Sequence, residues 1–96
     1  MTGTDSPTRL YRRATEFIAT DVEGELVLLH TLSWNYFEFD KIGASIWALL
    51  DVPQSLPALV DALMAKFDVD EARCRADTKA FLDDMIGQGL VIIVKA

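Results

Sequence analysis

Residues 34–50 constrain the fold more than any other part of this chain, because they read as a strand that runs directly into a helix. In residues 34–39, β-favouring aromatic side chains alternate with polar ones. Alternation with a period of two is typical of a half-buried strand. One predicted face carries Phe37 and Phe39, and the other carries Trp34, Tyr36 and Glu38.

The predicted helix begins at Lys41, and Asp40 is its N-cap candidate because its carboxylate can accept hydrogen bonds from the next turn. Apolar residues recur at steps of three and four, and smaller apolar residues and a tryptophan lie between them. The pattern predicts a helix that is buried around most of its circumference. The apolar positions are Ile42, Ala44, Ile46, Trp47, Ala48, Leu49 and Leu50.

Two further strands precede this centre, and two helices and a strand follow it. Residues 16–20 and 25–30 are strand-like and are separated by turn residues 21–24, so the three strands form an antiparallel meander with residues 34–39 at an edge. The second helix is capped by Ser55 and ends near Lys66 or Phe67. The third is capped by Asp70 and ends at Gly87 or Gly89. The β-branched run 90–94 is the predicted terminal strand.

The two ends of the chain differ in character. Residues 1–13 are mostly polar and lack periodicity, which predicts a flexible N-terminal tail, with one folded domain over residues 14–96. Arg9, Arg12 and Arg13 form a small basic cluster in that tail. A solvated terminus and a docking patch are both open readings of the cluster, and the first is favoured.

Composition excludes several classes of protein. A net charge of −6 and a pI near 4.5 argue against nucleic acid as a partner. Cys74 is the single cysteine and His30 the single histidine, so we predict neither a disulfide framework nor a metal site. No apolar run is long enough to span a membrane and no signal peptide is evident, so we expect a cytoplasmic protein. Because phosphate loops and nucleophile–base pairs are lacking, we expect no enzymatic activity, no catalytic residues and no cofactor.

The element order indicates an α+β fold with a winged helix-turn-helix arrangement. Several segments together resemble the PqqD family of precursor-peptide recognition elements. These segments are residues 24–29, Tyr36-Phe37-Glu38-Phe39-Asp40, Gly43-Ala44-Ser45-Ile46-Trp47, Phe67-Asp68-Val69-Asp70, residues 77–82 and Gly89-Leu90-Val91. The Ile-Trp pair and the compact length are most similar to the stand-alone members that serve lasso-peptide pathways.

The resemblance implies that the leader segment of a ribosomally made precursor peptide adds to the third strand, in a groove whose other wall is the third helix. Residues 34–39 contain no Lys or Pro to protect an open strand edge, which makes pairing with a guest strand plausible. Phe37 and Phe39 are also expected in the core. The predicted peptide-binding residues are Trp34, Tyr36, Phe37, Glu38, Phe39, Arg75, Ala76, Lys79, Ala80 and Asp83.

On the helix, Ala76 and Ala80 would leave room for bulky anchors, while Arg75 and Lys79 would pair with acidic leader residues. The resemblance implies a leader peptidase and a cyclase as partner enzymes in a lasso-type pathway, or a radical enzyme in a quinone-cofactor pathway. We expect a monomer or a weak homodimer. Two other hypotheses stay open at this point: a winged-helix DNA-binding regulator and a structural dimerisation module.

Overall fold

The computed structural model describes residues 9–23 and 25–95. The elements in chain order are β1 (Arg9–Arg13), β2 (Phe17–Val22), β3 (Glu25–His30), β4 (Tyr36–Phe39), α1 (Lys41–Leu49), α2 (Leu56–Lys66), α3 (Glu71–Gly87) and β5 (Val91–Lys95). The predicted α+β architecture of a meander, three helices and a short terminal strand is confirmed, and it is compatible with a winged helix-turn-helix.

The meander is an antiparallel sheet of order β2-β3-β4. Residue pairs run from Phe17↔His30 to Val22↔Glu25 in the first hairpin, and from Leu29↔Tyr36 to Leu26↔Phe39 in the second. Within the described residues no strand pairs with the outer edge of β4. This sheet therefore ends on the strand that the sequence placed at an edge.

The fourth strand is shorter than predicted, because the chain still turns at Trp34. Trp34 has a φ of +63°, in the left-handed region, and its N–H donates to the His30 carbonyl at 2.8 Å. The imidazole Nδ1 of His30 accepts the N–H groups of Leu32 and Ser33 at 3.2 and 3.3 Å. Trp34 thus belongs to the β3–β4 turn and does not share a strand face with Tyr36 and Glu38.

The prediction of a flexible tail over residues 1–13 is wrong for residues 9–13, which form β1. This strand pairs antiparallel with β5, from Arg9↔Lys95 to Arg13↔Val91. Tyr11 is 1% exposed, and its N–H and C=O bond the C=O and N–H of Gln54 at 2.7 and 2.9 Å. Burial of the tyrosine ring and this backbone pairing hold the segment in place. Residues 1–8, the rest of the predicted tail, lie outside the described residues.

The basic cluster of the first strand has a structural role at Arg13. Its guanidinium donates to the Trp47 carbonyl at 3.3 Å and lies 5.6 Å from the ring centroids of Phe17 and Trp47. A cation over an aromatic face is attracted by the ring quadrupole. Arg13 therefore joins β1 to α1, a contact that neither reading of the cluster anticipated.

All three predicted helix caps are present. Asp40 accepts the Gly43 N–H at 2.8 Å, Ser55 the Ala58 N–H at 3.2 Å, and Asp70 the Arg73 N–H at 3.1 Å. Each cap satisfies a backbone donor that the helix itself leaves unpaired. These three bonds fix where α1, α2 and α3 begin.

The core lies between the sheet and the three helices. Trp47 is buried, as predicted, and stacks edge-on against Phe17 at a centroid distance of 4.9 Å. Helix α1 is less buried than its sequence indicated, because Ala48 is exposed and Ile42 is 40% exposed. The fully buried aliphatic side chains are Leu28, Leu50, Leu59, Val60, Leu63, Leu82, Leu90 and Val91.

Candidate functional site

The register of β3 and β4 shows which backbone groups of β4 face the open edge. The His30 N–H donates to the Asn35 carbonyl at 2.8 Å, and this pair continues the register of Leu29↔Tyr36. Bonded and non-bonded pairs alternate in an antiparallel ladder. Phe37 and Phe39 therefore bond β3, while the N–H and C=O groups of Tyr36 and Glu38 point away from the sheet. Four backbone groups are available to a guest strand.

A groove of about 1370 Å³ lies beside this edge, between β4 and α3. Its apolar lining comes from the strand, from α1 and from both helices of the α2–α3 pair. The residues between α2 and α3 also contribute to it. The apolar and small side chains that line the groove are Phe37, Phe39, Ile42, Gly43, Ile46, Leu63, Phe67, Val69, Cys74, Thr78, Phe81 and Met85.

Aromatic packing sets the depth of the groove. Phe39 is 7% exposed and contacts the Phe81 ring edge-on at a centroid distance of 5.3 Å. Gly43 lies against both side chains, since a Cβ there would come within 3.3 Å of the Phe39 Cβ and of the Phe81 Cε1. Strand, first helix and third helix therefore meet at Gly43, and the half-buried Phe37 and Phe81 remain accessible from the groove.

The strand residues predicted for the site do line the groove, with one exception. Tyr36, Phe37, Glu38 and Phe39 all contribute, and Tyr36 is 67% exposed. Trp34 is 69% exposed but lies in the adjacent turn, outside the groove lining. Phe37 and Phe39 combine both roles considered for them, since each packs on the core and also faces the groove.

On α3, none of the five predicted positions lines this groove. The groove side of the helix carries Arg73, Asp77 and Asp84, roughly a third of a turn away at about 100° per residue. Arg75 pairs with Glu71 at 3.6 Å and Lys79 with Asp83 at 2.8 Å, both along the helix. The rotation of the helix is fixed by its buried stripe, which consists of Cys74, Thr78, Leu82 and Met85.

The charged lining of the groove is strongly acidic. Among the described residues Arg73 is the one basic residue of the lining, and its Nε lies 3.6 Å from an Asp77 carboxylate oxygen in an exposed pair. Two of the carboxylates, those of Asp40 and Asp70, also act as helix caps. The acidic lining residues are Glu38, Asp40, Asp68, Asp70, Asp77 and Asp84.

Among the described residues, no group of three or more His, Cys, Asp or Glu is arranged to hold a metal ion. Cys74 is buried as a free thiol, 3.9 Å from the Thr78 hydroxyl. His30 directs its Nδ1 to the β3–β4 turn. No helix in the described part of the chain is long and apolar enough to cross a membrane.

Fold and groove together define a class: small α+β domains that present an unpaired strand edge beside an apolar groove. The family model of Coenzyme PQQ synthesis protein D (PqqD) matches residues 25–91, which is more than half of the chain. This chain belongs to the PqqD family. No curated protein sequence matches it.

Three solved structures share the fold. TbiB1 in complex with the TbiA(beta) leader peptide has a TM-score of 0.75 and 29% identity, over 83% of this chain and 93% of that one. A lasso peptide synthetase B1 complexed with its leader peptide also has a TM-score of 0.75, at 20% identity, over 85% of this chain and 96% of that one.

The third is the solution NMR structure of the PqqD truncation of Methylobacterium extorquens PqqCD, a functional and stand-alone recognition element for ribosomally synthesised and post-translationally modified peptides. It has a TM-score of 0.71 and 19% identity, over 86% of this chain and 88% of that one. At 20% and 19% identity, the second and third structures establish the shared fold alone.

Proposed function

We propose that this protein binds the leader segment of a ribosomally made precursor peptide as an added strand on β4. The observation that carries the proposal is the unpaired edge at Tyr36 and Glu38 beside the groove between β4 and α3. An extended peptide there gains backbone hydrogen bonds from the edge, and it places alternate side chains into the groove. The edge supplies affinity for any extended chain, and the groove selects among peptides by the side chains that it accepts.

Family membership and the TbiB1 complex support this function, because that relative is 29% identical and holds a leader peptide. In our proposal the domain is a binding module that presents its peptide to separate maturation enzymes and performs no chemistry itself. For a lasso-type pathway these enzymes are a leader peptidase and a cyclase. A peptide strand added at the edge of the sheet keeps its own outer edge available to such a partner.

The proposed contacts comprise four strand residues and a revised set on the helix. Tyr36 and Glu38 supply backbone groups, and Phe37 with Phe39 forms the strand wall. The helix wall is the groove side of α3, namely Arg73, Asp77, Thr78, Phe81 and Asp84, which replaces the set of Arg75, Ala76, Lys79, Ala80 and Asp83.

A DNA-binding role finds no support in the charge of the groove. A DNA reader needs Lys and Arg on the face that meets the phosphates, whereas this face carries six acidic residues and one arginine. The dimerisation alternative would use the same open edge of β4 or the terminal strand of residues 90–94. A dimer through the edge of β4 would compete with the leader for one surface, whereas a dimer through the terminal strand would leave that edge open.

A fluorescence anisotropy titration tests the proposal, using a labelled synthetic leader segment of a precursor peptide. We expect saturable binding of that peptide and none of a labelled DNA duplex at moderate salt. Light scattering across protein concentrations runs in parallel. DNA binding without leader binding, or dimerisation without leader binding, would overturn the proposed function.

A further inference from the structure

The charges around the groove are distributed unevenly, and this asymmetry bears on which peptide the groove selects. Among the described residues, six acidic side chains belong to residues that line the groove, against one basic residue. The basic residues of α2 and the rest of α3 are directed elsewhere. Lys66 donates to the Ser45 hydroxyl, Arg75 pairs with Glu71, and Lys79 pairs with Asp83.

Part of this negative charge is compensated locally and part is not. Asp40 and Asp70 sit at helix N-termini, where backbone N–H groups stabilise them, and Asp77 faces Arg73. Among the described residues no ion pair or side-chain hydrogen bond engages Glu38, Asp68 or Asp84. All three are exposed. They therefore carry the uncompensated charge that a ligand meets.

Two of these carboxylates lie on either side of the position that a guest strand would take. Glu38 belongs to β4, beside the edge where the guest strand adds, on the face of the strand opposite Phe37 and Phe39, and Asp84 belongs to the groove side of α3. An acidic peptide there would place like charges near both carboxylates, which opposes binding and slows association. Because side chains alternate along an added strand, a basic residue next to an apolar anchor would lie on the side of Glu38, and a basic residue on the anchor side would lie near Asp84.

We propose that the peptide accepted by this groove carries Lys or Arg beside its apolar anchors, and that Glu38 and Asp84 recognise that positive charge. The inference rests on the proposed function and adds the class of peptide to it. It also reverses the expectation of an acidic leader, which followed from assigning Arg75 and Lys79 to the groove. Those two side chains lie outside the groove lining and already have acidic partners.

The test is a display selection of random peptides, each about as long as the groove, on three versions of the full-length protein. The first is the wild type. The second is the double variant Glu38→Lys with Asp84→Lys. The third is Asp51→Lys with Asp61→Lys, which changes two exposed acidic residues outside the groove lining and alters the net charge by the same amount. This matched control separates the effect of the groove carboxylates from the general attraction of an acidic protein for basic peptides.

We expect wild-type and control proteins to enrich peptides with apolar anchors flanked by Lys or Arg, and the groove variant to lose or invert the preference for basic residues. In anisotropy titrations, changing the enriched Lys or Arg to Glu should weaken binding to wild type roughly threefold to thirtyfold, since exposed charge pairs are individually modest. Circular dichroism establishes that each variant is folded. If the double variant fails to fold, the titration of wild type with the charge-reversed peptide decides the question by itself.

Different results would contradict the proposed peptide class and the proposed binding function. Enrichment of apolar peptides without a charge preference, or a preference that the groove variant retains, would overturn the inference and leave the proposed function standing. Failure of any peptide to enrich above the protein-free background would overturn the proposed function, and the inference with it.

Discussion

Replacing Glu38 by proline removes one of the two backbone N–H groups that β4 turns toward the open edge. The substitution costs no hydrogen bond to β3, because Phe37 and Phe39 make those bonds. The residue before a proline must be extended, and Phe37 already lies in a strand. Edge strands tolerate proline where the N–H faces away from the sheet. We therefore expect the variant to fold, with a stability loss of about 1 kcal/mol.

The expected loss of binding free energy can be calculated from the same geometry. A guest strand paired with Tyr36 and Glu38 forms four backbone hydrogen bonds, each contributing about 1 kcal/mol. Proline at position 38 removes one of them directly, and its ring keeps the guest from closing the reciprocal bond to the same residue. Two lost bonds correspond to about 2 kcal/mol, or roughly a thirtyfold rise in Kd.

A matched control exists on the other edge of the same sheet. The Thr31 N–H bonds the Glu16 carbonyl in the register of β2 and β3, so by alternation Ala19 also directs its N–H away from the sheet. Ala19→Pro therefore perturbs an outer edge in the same way, at an exposed position. We expect it to leave the affinity for the leader unchanged. Anisotropy titration gives the Kd, and urea denaturation gives the free energy of unfolding for both variants.

The reasoning is refuted if Glu38→Pro is folded and binds the leader as tightly as wild type. It is refuted equally if Ala19→Pro weakens binding and Glu38→Pro does not, because the guest would then add to β2.

Two further predictions concern stability and are read from urea denaturation. Phe39→Ala should cost about 3 to 5 kcal/mol, because Phe39 is buried against Trp47 and Phe81; a loss below about 1 kcal/mol would contradict its place in the core. Gly43→Ala and Gly87→Ala should differ in sign. A Cβ at Gly87 meets nothing within 4 Å, so the helix gains up to about 1 kcal/mol, whereas at Gly43 crowding of about 1 to 3 kcal/mol outweighs that gain. Equal effects of the two substitutions on the free energy of unfolding would show that the residues around Gly43 move to accommodate a methyl group.

Local signals in the sequence were sufficient for the helices and the meander. Each helix start has a capping residue whose bond is made within three residues, as with Asp40 and Gly43. Such short-range hydrogen bonds can be predicted without knowing the fold. The position of Trp47 in the core followed from helical periodicity, and the edge position of β4 followed from the short turns that join the three strands.

Features that depend on partners elsewhere in the chain were harder to predict. Strand β1 is held by β5 at the other end of the chain and by Gln54, so no pattern within residues 9–13 predicts the strand. The helix positions of the site came from the family resemblance and from the small residues Ala76 and Ala80, whereas the buried stripe of α3 turns Arg73, Asp77 and Asp84 toward the groove. The turn at Trp34 was missed for a related reason, because its conformation relies on the His30 carbonyl and imidazole.

Hydrogen exchange at four backbone amides tests the central claim most directly. In the free protein the amides of Phe37 and Phe39 should exchange slowly, because they bond β3, and those of Tyr36 and Glu38 should exchange fast. Saturation with the leader should protect Tyr36 and Glu38 selectively. Protection that appears instead at the outer edge of β2 or along β5, with Tyr36 and Glu38 still exchanging fast, would contradict the addition of a peptide strand to β4.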